Sequence, residues 1–480
     1  MSAELLNSFL TVLPAVVLFG LACAYLLIGM FQDNSSPAGI QSINGWGVVS
    51  MVLLGGIWIG VVWFGLQPTG LTTKLFQSDA VALHGTYLTL LAGVLIAAFS
   101  ITYTPRRYAY EFHACLLLLL AGSIFLAAAA DLTTLYLAVE MVSLPTTLLL
   151  SISRRDNSGR EATLKYFAMS AFASAVFLMG ASYLFGLSGT TSLAGIAAAL
   201  ATNETTLANV AIALVLGGLA FRITAVPFHF YAPDVFTGSS LPVAAMIATV
   251  PKIAGFLAIV RLLGGAQLNP GFIETAGVLL IVLALTTMTA GNFMALAQTK
   301  WRRLLAYSSV AHSGYLLLGV AAALYRGGET TSILSYLSAY TVMTLGVFAA
   351  LATLFSSSDS DPSLADLEGL HQRAPGLCIA LTICLLSLIG VPLTAGFWAK
   401  FGIFQDAIRT ARVELIVGAI VMALNAAVGA MYYLSLLFRI YRSPHVNTAS
   451  TAIPKFTPSF ALCVACAAIT VLWFLAPNWM

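Results

Sequence analysis

Glu140, Arg222, Lys252 and Lys400 stand inside stretches otherwise apolar enough to cross a bilayer. A charge at the centre of a spanning helix costs about 2.5–3.5 kcal/mol on insertion scales, so such residues usually line an ion path or an internal cavity. Glu140, in LYLAVEMVSLP, is the only carboxylate deep in an apolar run. Ionised and alone in hydrocarbon it is very costly, so it must be protonated or paired with a cation, and Arg222 is the natural partner. Lys252, in ATVPKIAGF, falls at the centre of its run, too far from either end to snorkel. Lysine is the cation whose proton affinity falls readily on burial, which suits a proton relay. His229 and His312 are lone imidazoles within apolar segments, and histidine exchanges protons nearest neutral pH. Ser308, His312 and Tyr315 are spaced by four and three, which puts them on one helix face. Together these residue types support movement of protons through a membrane. The plainer alternatives are a structural ion pair for Glu140 and hydrogen-bonded core positions for the histidines.

Two prolines sit beside these charges. Arg222 lies five residues before Pro227, in AVPFHFYAPDVF, and Lys400 lies eight after Pro392, in GVPLTAGFWAKF. Proline removes a backbone donor and clashes with the preceding turn, and lipid offers the freed carbonyls no partner. Each break therefore implies a polar or wet interior beside it, unless it is a kink that serves packing alone. Pro251 just before Lys252 likewise leaves the carbonyl of Ile247 in need of a partner.

These residues need a membrane around them, and composition supplies it. With 480 residues, 60% of them hydrophobic and 8% charged, the chain lacks the polar surface of a soluble globule. The opening MSAELLNSFLTVLPAVV has no basic region before its apolar run, so it reads as a retained first helix. A net charge of +3 argues for neither nucleic acid nor an acidic partner. The CxxC of Cys463 and Cys466 lies in an apolar segment without a second pair, so these cysteines read as small core hydrophobes. No phosphate loop, flavin or nicotinamide signature, haem pattern or metal-ligand cluster is present in the sequence.

Runs of the length needed to span a bilayer fall near 9–31, 44–66, 81–104, 111–130, 132–152, 164–188, 206–236, 241–263, 272–297, 303–325, 330–355, 375–405, 413–438 and 457–476. The fold class is thus an all-α integral membrane protein of about fourteen helices, two of them broken by proline. An Ala-rich stretch near 188–206 suits a short surface helix. Basic residues gather in cytoplasmic loops. With the N-terminus outside, thirteen Lys and Arg fall in cytoplasmic loops, five on the opposite side and three within spans, so both termini are expected outside.

Pro227 and Pro392 are 165 residues apart, and that shift lays helices four to eight almost onto helices nine to thirteen. Five helices per unit is an odd number, so the second unit must be inverted, a recurrent transporter arrangement. The expected organisation is an N-terminal three-helix segment (1–110), a first repeat (111–263), a second, inverted repeat (272–438) and a C-terminal helix (439–480).

The runs FRITAVPFHFYAPDVFTGSSLPVAAMIATVPK, LYLAVEMVSLP, GNFMALAQTKWRRLLAYSSVAHSGYLLLG and LSLIGVPLTAGFWAKF resemble the antiporter-like membrane subunits of NADH:quinone oxidoreductase, respiratory complex I. The resemblance covers nearly the whole chain and is strongest to the N-type subunits. An M-type subunit would carry glutamate where Lys400 stands, and an L-type one would continue into a long lateral helix. The resemblance implies a proton path along Glu140, the position of Arg222, Lys252 and Lys400, linked by His229 and His312, in a bacterial inner membrane. It also implies that this chain holds no cofactor and no metal. Flavin, iron–sulfur clusters and quinone would belong to partner subunits, and neighbouring antiporter-like subunits would be its contacts.

One residue departs from that pattern, which has lysine where this chain has Arg222. Arginine stays charged at any cellular pH, so the first cation is expected to act as a fixed charge that pairs with Glu140 and biases Lys252. Two other readings share these features. One is a subunit of a multisubunit cation/proton antiporter or membrane-bound hydrogenase, and the other is a non-pumping spacer.

Overall fold

The computed structural model describes residues 3–31, 37–63, 72–103, 108–202, 206–263, 270–355, 363–443 and 457–475. Apolar runs of this length become helices because only a helix satisfies its own backbone within one segment. In chain order they are α1 (Ala3–Phe31), α2 (Pro37–Trp63), α3 (Ala80–Tyr103), α4 (Ala109–Ala128), α5 (Leu132–Ser153) and α6 (Asn157–Ser188). The Ala-rich connection that follows contains the short α7 (Leu193–Thr202). Next come α8 (Thr206–Arg222), α9 (Ala232–Gly238), α10 (Leu241–Leu263), α11 (Pro270–Leu296), α12 (Trp301–Tyr325) and α13 (Thr331–Phe355). The last group is α14 (Leu370–Arg373), α15 (Pro375–Ile389), α16 (Ala395–Arg409), α17 (Val413–Tyr441) and α18 (Pro458–Leu475). Eleven of these are long and apolar enough to cross a membrane by themselves. Adding the shorter apolar helices Thr206–Arg222, Pro375–Ile389 and Pro458–Phe474 accounts for the fourteen expected segments. Among the described residues β structure is limited to isolated bridges.

Position within the bundle follows side-chain size and polarity. The lysine-bearing α10 is enclosed along its whole length, and α12 and α13 are almost as deeply buried, whereas α6 and α17 keep a broad apolar face outward. Close helix approach in a membrane requires small residues at the crossing. At the α11–α12 crossing a methyl group on Gly314 would collide with the backbone nitrogen of Met288, and one on Gly291 would lie 2.5 Å from that of Ala311. Only hydrogen fits at either position. Asp131 caps α5 by accepting from the Thr133 amide at 2.8 Å, and Asp156 caps α6 by accepting from the Gly159 amide at 3.0 Å. Arg261, near the end of α10, donates to both Asp79 oxygens at 2.6 and 2.5 Å and to the Ala127 carbonyl, which ties α10 to the segment before α3 and to α4.

Two spans are interrupted, and neither stops at its proline. The segment expected as one broken helix over 206–236 ends at Arg222 and resumes at Ala232. The second ends at Ile389 and resumes at Ala395. Helix is lost earlier because the backbone turns ahead of each proline, and in the second break again just after it. Thr224 stands at φ 56° in the first break, and Gly390 at φ 88° and Leu393 at φ 79° in the second. For Thr224 and Leu393 the left-handed region is a strained conformation, of a kind that persists only where surrounding contacts enforce it. By contrast α5 and α10 run through Pro145 and Pro251 without ending.

Candidate functional site

Each break is held by groups from elsewhere in the fold. In the first, the Val226 amide donates to Thr287 Oγ1 of α11 at 3.1 Å, the Tyr231 hydroxyl donates to the Phe221 carbonyl at 2.9 Å, and Ser313 Oγ of α12 donates to the Ile223 carbonyl. In the second, Lys400 Nζ donates to the carbonyls of Leu388 and Ile389 at 2.8 Å each, capping α15 where its last carbonyls have no helical partner. Gly390 lies against the lysine side chain, which a methyl group would contact at 3.0 Å. Ser387 Oγ accepts from the Gly396 amide at 3.1 Å and closes the break.

Arg222 emerges at the end of α8 with 3% of its side chain exposed, and its Nη2 lies 3.5 Å from Glu140 Oε1. Ser174 Oγ donates to the same carboxylate, and Arg222 Nη1 donates to Ser170 Oγ at 3.2 Å. Both serines come from α6, so three helices build the pair. Glu140 is 22% exposed, and the exposed side chains of Leu137 and Leu144 flank it along α5. The carboxylate thus opens toward the lateral surface while its cation is enclosed.

Lys252 is fully enclosed. Its ammonium donates to the Ser309 carbonyl on α12 and lies 5.2 Å from the centre of the Tyr340 ring. Tyr340 donates to Ser309 Oγ at 3.0 Å. Ser313, one turn further along α12, donates to the Ile223 carbonyl beside Arg222, and its hydroxyl lies 3.2 Å from the Ser309 carbonyl, to which it can turn instead. One serine therefore bridges the neighbourhoods of the first two cations. His312 shares this interior: Nδ1 lies 2.8 Å from the Tyr336 hydroxyl and Nε2 lies 3.4 Å from that of Tyr433, which also bonds Ser308. Toward the second break, Lys400 Nζ lies 5.4 Å from the Tyr315 ring centre. The Tyr315 hydroxyl accepts from Asn292 Nδ2 at 2.9 Å, and Asn292 joins Asn425 and Tyr432 at 3.1 Å each. Such networks strengthen one another at low dielectric and set the positions of their members.

The structure brings Glu140 to Arg222, and it sets Lys252, His312 and Lys400 among linked hydroxyls and carbonyls. It does not draw His229 into that network. His229 is buried on the first break against Phe230, and among the described residues neither ring nitrogen has a side-chain hydrogen-bond partner. Several contributors went unread in the sequence, among them Tyr336, Tyr340, Tyr433, Asn292 and Asn425. The two asparagines carried a signal, since an amide inside an apolar run needs a partner. The tyrosines gave none, because aromatic residues are common on apolar faces. Beside Tyr340 a small cavity of about 10 Å³ is bordered by Ser308, Thr344, Phe236 and Leu388, with the hydroxyls of Ser308, Tyr340 and Thr344 on its wall. Space and polarity there suit a single water.

Residues 129–425, which include all four intramembrane charges, match the transmembrane family described as NADH:quinone oxidoreductase/Mrp antiporter. The chain belongs to this family. Within the family it is similar to subunit N of NADH-quinone oxidoreductase from Trichlorobacter lovleyi, 33% identical across 96% of this chain and 97% of that one. The corresponding Myxococcus xanthus subunit is 34% identical across 97% and 95%. Among solved structures, a chain of respiratory complex I from Thermus thermophilus with bound aureothin superposes with a TM-score of 0.80 at 30% identity, covering 98% of both chains. A chain of the Mrp complex from a Dietzia species has the same fold, with a TM-score of 0.80 at 21% identity.

Proposed function

We propose that this chain is the N-type membrane subunit of a proton-translocating NADH:quinone oxidoreductase, seated among other antiporter-like subunits in a bacterial inner membrane with both termini outside. Similarity over nearly the full length to subunit N proteins supports the assignment to an electron-transfer complex. The observation that carries the mechanism is the enclosure of Lys252 on Ser309, with Ser313 leading from there to the first broken helix, and with His312 and its tyrosines lying between Lys252 and the Tyr315 ring that faces Lys400. In this reading 111–263 and 272–438 are inverted copies, each contributing one broken helix. Electron transfer, with its flavin, iron–sulfur clusters and quinone, takes place in partner subunits.

Protons pass through Lys252, His312 and Lys400, each able to hold or release one. The hydroxyls of Tyr336, Tyr340 and Tyr433 pass them on by hydrogen-bond exchange. Arg222 does not titrate. Held by Ser170 and set against Glu140, it is a fixed positive charge whose field on Lys252 rises when Glu140 is neutralised and falls when the pair is intact. A change at the lateral face of Glu140 is thereby converted into a change in proton affinity at the centre of the subunit. His229 joins the path through water, since among the described residues no side chain hydrogen-bonds its ring nitrogens.

The test is Lys252→Met in the intact complex, reconstituted in vesicles with NADH and a quinone. Protons moved per NADH oxidised should drop while the variant still assembles. An unchanged ratio would mean that the subunit is a spacer, and sodium-dependent transport without NADH would assign it to an antiporter complex.

A further inference from the structure

The recess between the end of α5 and the start of α6 lies outside the charged axis and has a chemistry of its own. It encloses about 450 Å³ and is bordered by Arg154, Arg155 and Arg160, by Thr147, Ser151 and Thr163, and by Leu164 and Phe167. That volume falls in the range of pockets that take a small organic group. Two helical stripes face one another across it. On α6, positions 160, 163, 164 and 167 run from guanidinium to aromatic ring. On α5 and its exit, positions 147, 151 and 155 run the other way, from hydroxyl to guanidinium. The recess is therefore basic at the helix ends and apolar toward the helix centres.

The nearby acids are already engaged. Asp156 accepts from Arg154 Nη2 at 2.5 Å and from the Gly159 amide, and Glu161 pairs with Lys165 at 2.6 Å. Among the described residues neither Arg155 nor Arg160 has a carboxylate partner, although the Arg155 guanidinium lies over the Tyr108 ring at 4.8 Å. The three hydroxyls donate back to carbonyls of their own helices: Thr147 to Ser143, Ser151 to Leu148 and Thr163 to Gly159. They present only acceptor oxygens to the recess, so the guanidinium N–H groups are the donors there. Below them Leu164 and Phe167 are 68% and 51% exposed, and Leu148 continues that apolar wall at 54%.

We propose that this recess binds an anionic glycerophospholipid. Its phosphodiester rests on Arg155 and Arg160, its headgroup hydroxyls donate to Ser151 and Thr163, and its acyl chain lies along Leu148, Leu164 and Phe167. A free phosphate would use the arginines and leave the apolar wall bare. The alignment of guanidinium, hydroxyl and apolar side chain along one groove matches the order of groups in a lipid, and basic pockets between spanning helices on the cytoplasmic side, where the distribution of basic residues puts this connection, take anionic headgroups.

The test uses the intact membrane complex in nanodiscs of phosphatidylcholine alone or mixed with phosphatidylglycerol. Native mass spectrometry after delipidation counts the lipids retained, and the unfolding midpoint is read alongside. Arg155→Gln/Arg160→Gln should lose one retained phosphatidylglycerol per complex and its share of stabilisation. Anionic-lipid affinity should fall about 30-fold, from about 1 kcal/mol per basic residue. Arg155→Lys/Arg160→Lys should keep most of both. Stabilisation of the wild type by inorganic phosphate equal to that by phosphatidylglycerol would overturn the lipid in favour of a free anion. Equal lipid retention by wild type and the glutamine variant would also overturn it, and if that variant then shed a neighbouring subunit, an acidic partner segment would be the occupant.

Discussion

Lys400 does two things at once, and Lys400→Met separates them. Its ammonium donates to the carbonyls of Leu388 and Ile389, both at 2.8 Å, where α15 ends. A hydrogen bond from a charged donor contributes about 1.5–3 kcal/mol, so methionine removes about 3–6 kcal/mol of gross interaction from the second break. The lysine is only half-buried, and water entering beside the substituted thioether recovers about half of that. The net loss is about 1.5–3 kcal/mol, which multiplies the population of locally opened states by about 10 to 150. The amides that report it are those of Gly390 and Val391, which donate to the Leu386 carbonyl at 3.0 and 3.1 Å. Hydrogen exchange of the peptide covering 386–397, measured by mass spectrometry on the intact complex, should accelerate by that factor. Lys400→Gln, which keeps a neutral donor, should give about half the effect in free energy. Proton transport should fall in both variants. If exchange is unchanged while transport falls, the lysine carries protons but does not hold the break, and the proposed link between its charge and the local backbone is wrong. The same arithmetic applies within the working cycle: a lysine that has given up its proton holds α15 less firmly, so proton release and loosening of the break are one event.

Other variants check the remaining parts. Arg222→Lys should leave protons per NADH near wild type, since a fixed charge is all the position requires. Arg222→Gln should destabilise the subunit by about 3 kcal/mol, and the double change with Glu140→Gln should recover most of it, because the cost lies in leaving one buried charge alone. Additive losses in that cycle would separate the two residues. Thr344→Val removes a hydroxyl from the wall of the small cavity and should slow proton transport about tenfold if a water there costs about 1.4 kcal/mol to lose. Thr344→Ser should restore the rate, and equal behaviour of the two would show the cavity to be dry packing space. Gly314→Ala drives a methyl group against the Met288 backbone and should cost about 2–3 kcal/mol, read as a lower yield of assembled complex without change in the transport ratio of what assembles.

The amino-acid sequence alone determined that this chain lives in a membrane, which of its segments become long apolar helices, and which charges are out of place there. Those properties follow from local composition, because lipid penalises each polar group without regard to what lies far along the chain. It also located both breaks within a few residues, since proline acts on its own turn. It did not determine where the helices end. That is set by Thr224, Leu393 and Gly390, whose left-handed backbone is held by Thr287, Ser313 and Lys400, all distant in sequence or from another helix. Nor could it separate the two intramembrane histidines, which look alike in one dimension. Only packing gives His312 two tyrosine hydroxyls and leaves His229 without any. Partner identity is a property of three-dimensional neighbours, and Tyr336, Tyr340, Tyr433 and Asn292 became part of the site only when α11, α12, α13 and α17 closed around α10 and the second break.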